Sequence, residues 1–158
     1  MSISITSDAF DHRERIPVKY TGDGEDVSPP IRWEKLPAAT KGLALICEDP
    51  DAPTPEPYVH WVIYSIPADA PGLPEGVKKV PKPPTPHGAL QGVNSFGKTG
   101  YNGPAPPRGH GVHHYRFRLY ALDAPIALDP GLDRVSVAAS ISGHILDEGE
   151  LLGTYERK

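Results

Sequence analysis

From Gly100 to Asp123 the chain reads GYNGPAPPRGHGVHHYRFRLYALD, and its first half fits neither a helix nor a central strand. Pro104, Pro106 and Pro107 carry no backbone donor and hold φ near one value. Gly103, Gly109 and Gly111 open backbone conformations closed to other residues. The second half, His113–Leu122, alternates and is rich in aromatic and bulky side chains, the pattern of a strand. Tyr115, Phe117, Leu119 and Ala121 fall on one face; His114, Arg116, Arg118 and Tyr120 fall on the other. His113 shares the face of Tyr115, at the point where a stiff Gly/Pro loop hands over to a sheet. That junction is either a small site on rigid walls or an edge-strand entry with surface histidines.

With 20 prolines and 16 glycines in 158 residues and a hydrophobic content of 38%, the chain favours turns and short strands over a helical bundle. The length fits one domain spanning 1–158. The net charge is −4, and the densest basic stretch, Lys78-Lys79-Val80-Pro81-Lys82, is brief and broken by proline. Nucleic acid is therefore a poor partner, because affinity there rests on many phosphate contacts. Cys47 is the only cysteine, so no internal disulfide can form, and its apolar surroundings predict a buried thiol. The first residues, MSISITSDAFDHRERIP, lack the apolar core of a signal peptide. No segment approaches the roughly 20 apolar residues needed to cross a bilayer. A cytoplasmic protein is the expectation.

Taken in order, Ser2–Thr6 alternates through Ile3 and Ile5, and Ile16, Val18 and Tyr20 repeat that strand-like pattern before a turn at Thr21–Gly24. Trp33, after Ser28-Pro29-Pro30, is a candidate core aromatic. Gly42–Glu48 (GLALICE) is a continuous apolar run of strand length, compatible with burial on both faces. It ends in Asp49-Pro50-Asp51-Ala52-Pro53, two acids that either do acid/base work or cap turns. Tyr58–Ile66 (YVHWVIYSI) is the strongest strand. Period two puts Tyr58, His60, Val62 and Tyr64 on one face and Val59, Trp61 and Ile63 on the other. His60 is either a core histidine satisfied by Asp49 or Asp51, or a ligand-binding group. Ala68–Gly111 is mostly irregular, and Phe96 and Tyr101 favour an ordered loop packed over the sheet. A helix is predicted from Asp129-Pro130-Gly131, with Leu132, Val135, Ala139 and Ile145-Leu146 near helical spacing and Asp133 in the first turn. Gly143 and Gly149 weaken its later part, and Glu150–Tyr155 is a candidate closing strand.

Several chemistries are disfavoured. No Gly-x-Ser-x-Gly elbow is present, and Ser142, the nearest imitation, lies in the predicted helix. His110, His113 and His114 cluster, but strand period sets His113 and His114 on opposite faces, so no metal is expected. No GxGxxG or Walker loop follows a strand, so no nucleotide cofactor is expected either. What remains is a pocket in which His60 and His113 donate to an anion, loop amides add donors, and Asp49 orients an imidazole.

The segments IPVKYTGDGEDVSPPIRW, DPDAP at Asp49–Pro53, HWVIYSIP at His60–Pro67, GYNGPAPPRGHGVHHYRFRLYALD and GHILDEGELLGTYER, in that order, resemble the phosphatidylethanolamine-binding protein (PEBP) family. The likeness is to its bacterial and archaeal branch, also called Raf-kinase-inhibitor-like proteins, and covers nearly the whole chain. It implies a mainly β fold, an antiparallel Greek-key sandwich with a C-terminal helix and few other short helices. It implies a pocket for phosphate-like anions and phospholipid head groups. By motif, the pocket residues fall on Asp49, His60, His113 and Tyr115, with Gly103, Ala105, Pro106 and Pro107 as a wall and Tyr58 as a further lining residue. The chain departs from the family pattern at His114 (for arginine), Gly22 (for cysteine), Ser65 (for asparagine) and Ser95 (for aspartate). The implied role is a non-enzymatic binding protein for a small anionic or phosphorylated ligand, with a kinase or protease as protein partner and a homodimer as its assembly. The alternative is a small hydrolase or lyase using Asp49, His60 and His113 as acid/base groups.

Overall fold

In the computed structural model, which describes residues 2–158, the strands are β1 (Ser4–Thr6), β2 (Ile31–Glu34), β3 (Gly42–Asp49), β4 (Tyr58–Pro67), β5 (Gly72–Leu73), β6 (Leu90–Gln91), β7 (His113–Leu122) and β8 (Ile145–Tyr155). One helix, α1 (Arg134–Ile141), precedes β8. The strands form two antiparallel sheets, β1-β2-β5 and β6-β4-β3-β7-β8. This is the mainly β architecture that short alternating segments between proline and glycine turns predict.

β3 is buried along its whole length because both its faces are covered. Leu43, Leu45 and Cys47 point into the main core between the sheets, with Trp33, Trp61, Phe117 and Leu119. Ala44 and Ile46 point the other way, into a second cluster closed by Val137 and Ile141 of α1. β7 alternates as its sequence requires, with Tyr115, Phe117, Leu119 and Ala121 buried. Each fully buried large apolar side chain contributes on the order of 1.5–3 kcal/mol, so these two strands carry much of the stability.

β4 departs from strict period two. Cys47 pairs with Trp61 and Glu48 with Val59, leaving His60 as an extra residue. A bulge of this kind turns two successive side chains to one side. Trp61 enters the main core, and His60 packs edge-on against Tyr115 on that same side. A second irregularity lies between the Leu45–Ile63 and Leu43–Ile66 pairs, where Ser65 adopts φ +52°. The left-handed residue returns Ile66 to the main core while Tyr64 stays on the helix side.

Two further expectations are corrected. Val18–Tyr20 is a 3-10 turn, not a strand: Pro17 starts it, and the Tyr20 and Thr21 amides donate back to the Pro17 and Val18 carbonyls. The helix is shorter than its apolar spacing predicts. Asp133 stands before it as N-cap, its side chain accepting from the Ser136 amide at 2.9 Å. Gly143, at φ +84°, follows its end. Ile145, Leu146 and Gly149 belong to β8, and the buried helical residues are Val137 and Ile141, while Val135 is exposed.

Candidate functional site

The end of β3 lies beside the starts of the antiparallel β4 and β7, which brings Asp49, Tyr58, His60, His113 and Tyr115 around one cavity of about 220 Å³. Ala105, Pro106 and Pro107 form one wall; Ala52, Pro53, Thr54 and Phe96 complete the lining. Of the residues singled out in the sequence, Gly103 alone stands outside the lining. It lies behind the wall, where its amide donates to Asp26 Oδ1 at 2.6 Å and where any side chain would run into the Tyr20 carbonyl. Glycine is required there for close backbone approach.

The wall is held from behind. Tyr101 is fully buried and donates to the Tyr20 carbonyl at 2.6 Å. Asn94 donates to the Gly100 carbonyl and to Asn102 Oδ1, and its own oxygen accepts from the Phe96 and Lys98 amides. Asp26 gathers Asn102 Nδ2, the Gly103 amide and the Lys79 ammonium. Phe96 packs edge-on against Tyr58 and His60 at the cavity's side. The proline wall itself supplies few donors, because only Ala105 among residues 104–107 has a backbone N–H. The expected ring of loop amides is therefore replaced by an apolar surface.

The carboxylate partner of His60 differs from the expectation. Asp49 is taken by His113, whose Nδ1 donates to Oδ2 at 2.6 Å, both side chains being almost fully buried. Asp51 is taken by His114 at 2.7 Å on the outer face. His60 Nδ1 instead meets the Asn102 carbonyl at 2.6 Å. A carbonyl only accepts, so Nδ1 carries the proton. Burial pushes the His60 imidazole below its ordinary value of 6.5, and the hydrogen bond to Asn102 offsets this only in part. The ring is thus neutral at neutral pH, and Nε2 is a lone pair. Arg134 Nε, which faces Glu48 at 3.4 Å, is the only fully buried side-chain nitrogen or oxygen without a hydrogen bond among the described residues. His60 Nε2 and the Tyr115 hydroxyl, which have no protein partner, therefore open onto the cavity. Burial and the Asp49 charge raise the Tyr115 phenol well above its usual range, so it remains a donor.

One participant escaped sequence reasoning. His110 Nδ1 lies 2.6 Å from His113 Nε2, extending the chain Asp49–His113 by one ring. With His113 Nδ1 donating to Asp49, a neutral His113 accepts at Nε2 from His110. The visible signal was GHGVHHY, where His110 sits between two glycines, both at positive φ.

A phosphatidylethanolamine-binding protein family model matches residues 6–156. A UPF0098 protein of the archaeon Methanothermobacter thermautotrophicus is 47% identical over 155 residues, covering 98% of this chain and 99% of its own. Escherichia coli YbcL, a PEBP-family structure, superposes with a TM-score of 0.93 at 31% identity over the whole of both chains. The PEBP homologue CT736 of Chlamydia trachomatis gives a TM-score of 0.88 at 34% identity over 99% of both. Motif order, sheet topology and overall match agree, and the chain belongs to the phosphatidylethanolamine-binding protein family.

Proposed function

We propose that the protein is a non-enzymatic binding module whose cavity takes a small oxyanion, either phosphate itself or a phosphorylated head group. The observation that carries this reading is the meeting of His60, His113, Tyr115 and Asp49, from three strands, in one cavity. Two of their polar atoms are left without a protein partner. Such open groups on rigid strands are suited to a ligand, because an unmet polar group in a dry site is costly.

The test is an NMR titration with inorganic phosphate and phosphorylethanolamine from about pH 8 to about pH 6, around the imidazole range. The expected result is weak, saturable binding that perturbs His60 and Tyr115, strengthens as pH falls, and survives a chelator. Binding abolished by the chelator, or perturbations confined to other surfaces, would overturn it. A second reading, a small hydrolase or lyase, draws on the His113–Asp49 hydrogen bond, which has the form of an oriented general base. Phosphorylethanolamine consumed in the same samples would favour it. A kinase or protease partner and self-association belong to the same proposal, and sedimentation of free and ligand-loaded protein tests the latter.

A further inference from the structure

Resting on the oxyanion reading, the geometry points to a narrower specificity: the cavity selects an oxyanion that still carries one O–H, such as a hydrogen-phosphate monoester, and rejects its dianion. Three observations converge. His60 Nδ1 is committed to the Asn102 carbonyl, so Nε2 presents a lone pair that only a donor can satisfy. A fully ionised oxyanion has no such donor and sets lone pair against lone pair. The Tyr115 O–H meets the complementary need, donating to an unprotonated ligand oxygen.

The third observation is charge. Among the described residues no lysine or arginine lines the cavity, and Asp49 is its one carboxylic side chain. A dianion would enter beside a carboxylate with no fixed cation to offset it, whereas a singly charged species meets less repulsion. The carboxylates around His60 are Asp49 and Asp26, and the other titratable groups there are phenols and the His113 imidazole. Asp49 stands on β3, Tyr115 and His113 on β7, Tyr58 on its own strand, and Asp26 lies beyond Asn102. The carboxylates favour a protonated His60, yet burial holds the ring neutral. The proton shared at Nε2 is therefore the ligand's.

This origin of pH dependence differs from titration of a histidine, and the ligand's own ionisation separates the two. The experiment measures affinity of the wild-type protein by NMR from about pH 5.5 to 8.5 for inorganic phosphate, phosphorylethanolamine, methylphosphonate and sulfate; monoester second ionisations lie near pH 6. If the ligand O–H is required, the affinity of phosphorylethanolamine and of methylphosphonate falls about tenfold per pH unit above each one's own second pKa, whereas inorganic phosphate, whose dianion keeps an O–H, falls less steeply. The midpoints then shift from probe to probe, and sulfate, which has no proton to lose there, binds at least about tenfold more weakly than the protonated phosphates. The His60 ring nitrogens in the free protein should show a proton on Nδ1 and a pyridine-like Nε2 that responds to ligand.

One midpoint common to all probes, sulfate bound as tightly as phosphate, or a proton on Nε2 would overturn the selection while leaving the anion reading intact. No binding by any probe at any pH would overturn both. Phosphorylethanolamine compared with inorganic phosphate at matched protonation distinguishes a head group from the free ion, and either ranking is compatible with the selection rule.

Discussion

Two histidine–aspartate pairs sit on consecutive residues of β7, and they differ in almost nothing but surroundings. His113 and Asp49 meet at 2.6 Å with side-chain exposures of 2% and 4%; His114 and Asp51 meet at 2.7 Å with 45% and 40%. The first pair lies beneath the cavity, the second on the opposite face in water. In water, an ion pair gains little over the hydration that it gives up. In the interior, losing one partner leaves a charge or donor with nothing to replace it. The same two residue types thus form a buried unit beside the cavity on one side and a surface pair of small energetic weight on the other. Asp51 shows the balance directly. Its burial alone would raise the carboxyl, but hydrogen bonds from the His114 ring and amide outweigh this and hold it below 3.8.

The largest expected contrast comes from breaking each pair in turn. His113→Ala strands the Asp49 carboxylate and should cost about 3 kcal/mol in denaturant unfolding. His114→Ala should cost about 1 kcal/mol or less. If both lose the same, burial does not govern the difference. In a folded His113→Ala sample, Asp49 loses the ring that occupies its carboxylate beside the cavity, so phosphate affinity should drop, while His114→Ala leaves it nearly unchanged.

A smaller effect is expected behind the wall. Asp26→Ala removes the acceptor for the Gly103 amide and Asn102 side chain, and should cost about 1–3 kcal/mol. Protease cleavage within residues 92–111 should speed up in that variant and remain slow in the wild type. Unchanged cleavage would show that Asn94 and Tyr101 hold the loop without it.

The smallest effects are on pH. His60 has a folded pKa below its unfolded one, so between the two values the unfolded chain takes up a proton that the native ring refuses. That contribution to stability is complete above 6.5 and is lost as pH falls below it. A denaturation midpoint followed from pH 7.5 to 5 should decline, and His60→Phe should flatten that part of the curve. Asp51 acts lower: its depressed carboxyl stabilises above 3.8 and ceases to do so as pH falls through its folded value. His114→Ala should weaken this acid limb without abolishing it, because the residue 114 backbone amide still donates to Asp51, and should leave the limb near 6.5 in place.

Much of the fold was legible because β3 and β7 have unbroken patterns: Gly42–Glu48 is apolar throughout, and His113–Ala121 alternates without interruption. The site residues were legible through motif order more than through pairing. Asp49 lies 64 positions from His113, and nothing local tells it to choose that ring over His60. The choice is made by the bulge at His60, which depends on how β4 registers against β3. A two-residue period cannot announce its own interruption. The helix was overextended for a related reason, since Ile145 and Leu146 satisfy helical spacing while strand pairing with β7 claims the segment. His110 was seen only as part of a histidine cluster, because its role appears once the glycine turns fold it onto His113.

The proline wall has a kinetic consequence. Pro104, Pro106 and Pro107 lose little freedom when fixed, and the wall is already anchored through Tyr101 and Asp26. Under the proposed function, a ligand entering past this wall need not wait for the wall to order. Its residence time depends on the few bonds that it makes, which for a small head group means rapid exchange. Occupancy would then follow the surrounding concentration closely, the behaviour of a gauge and not of a store.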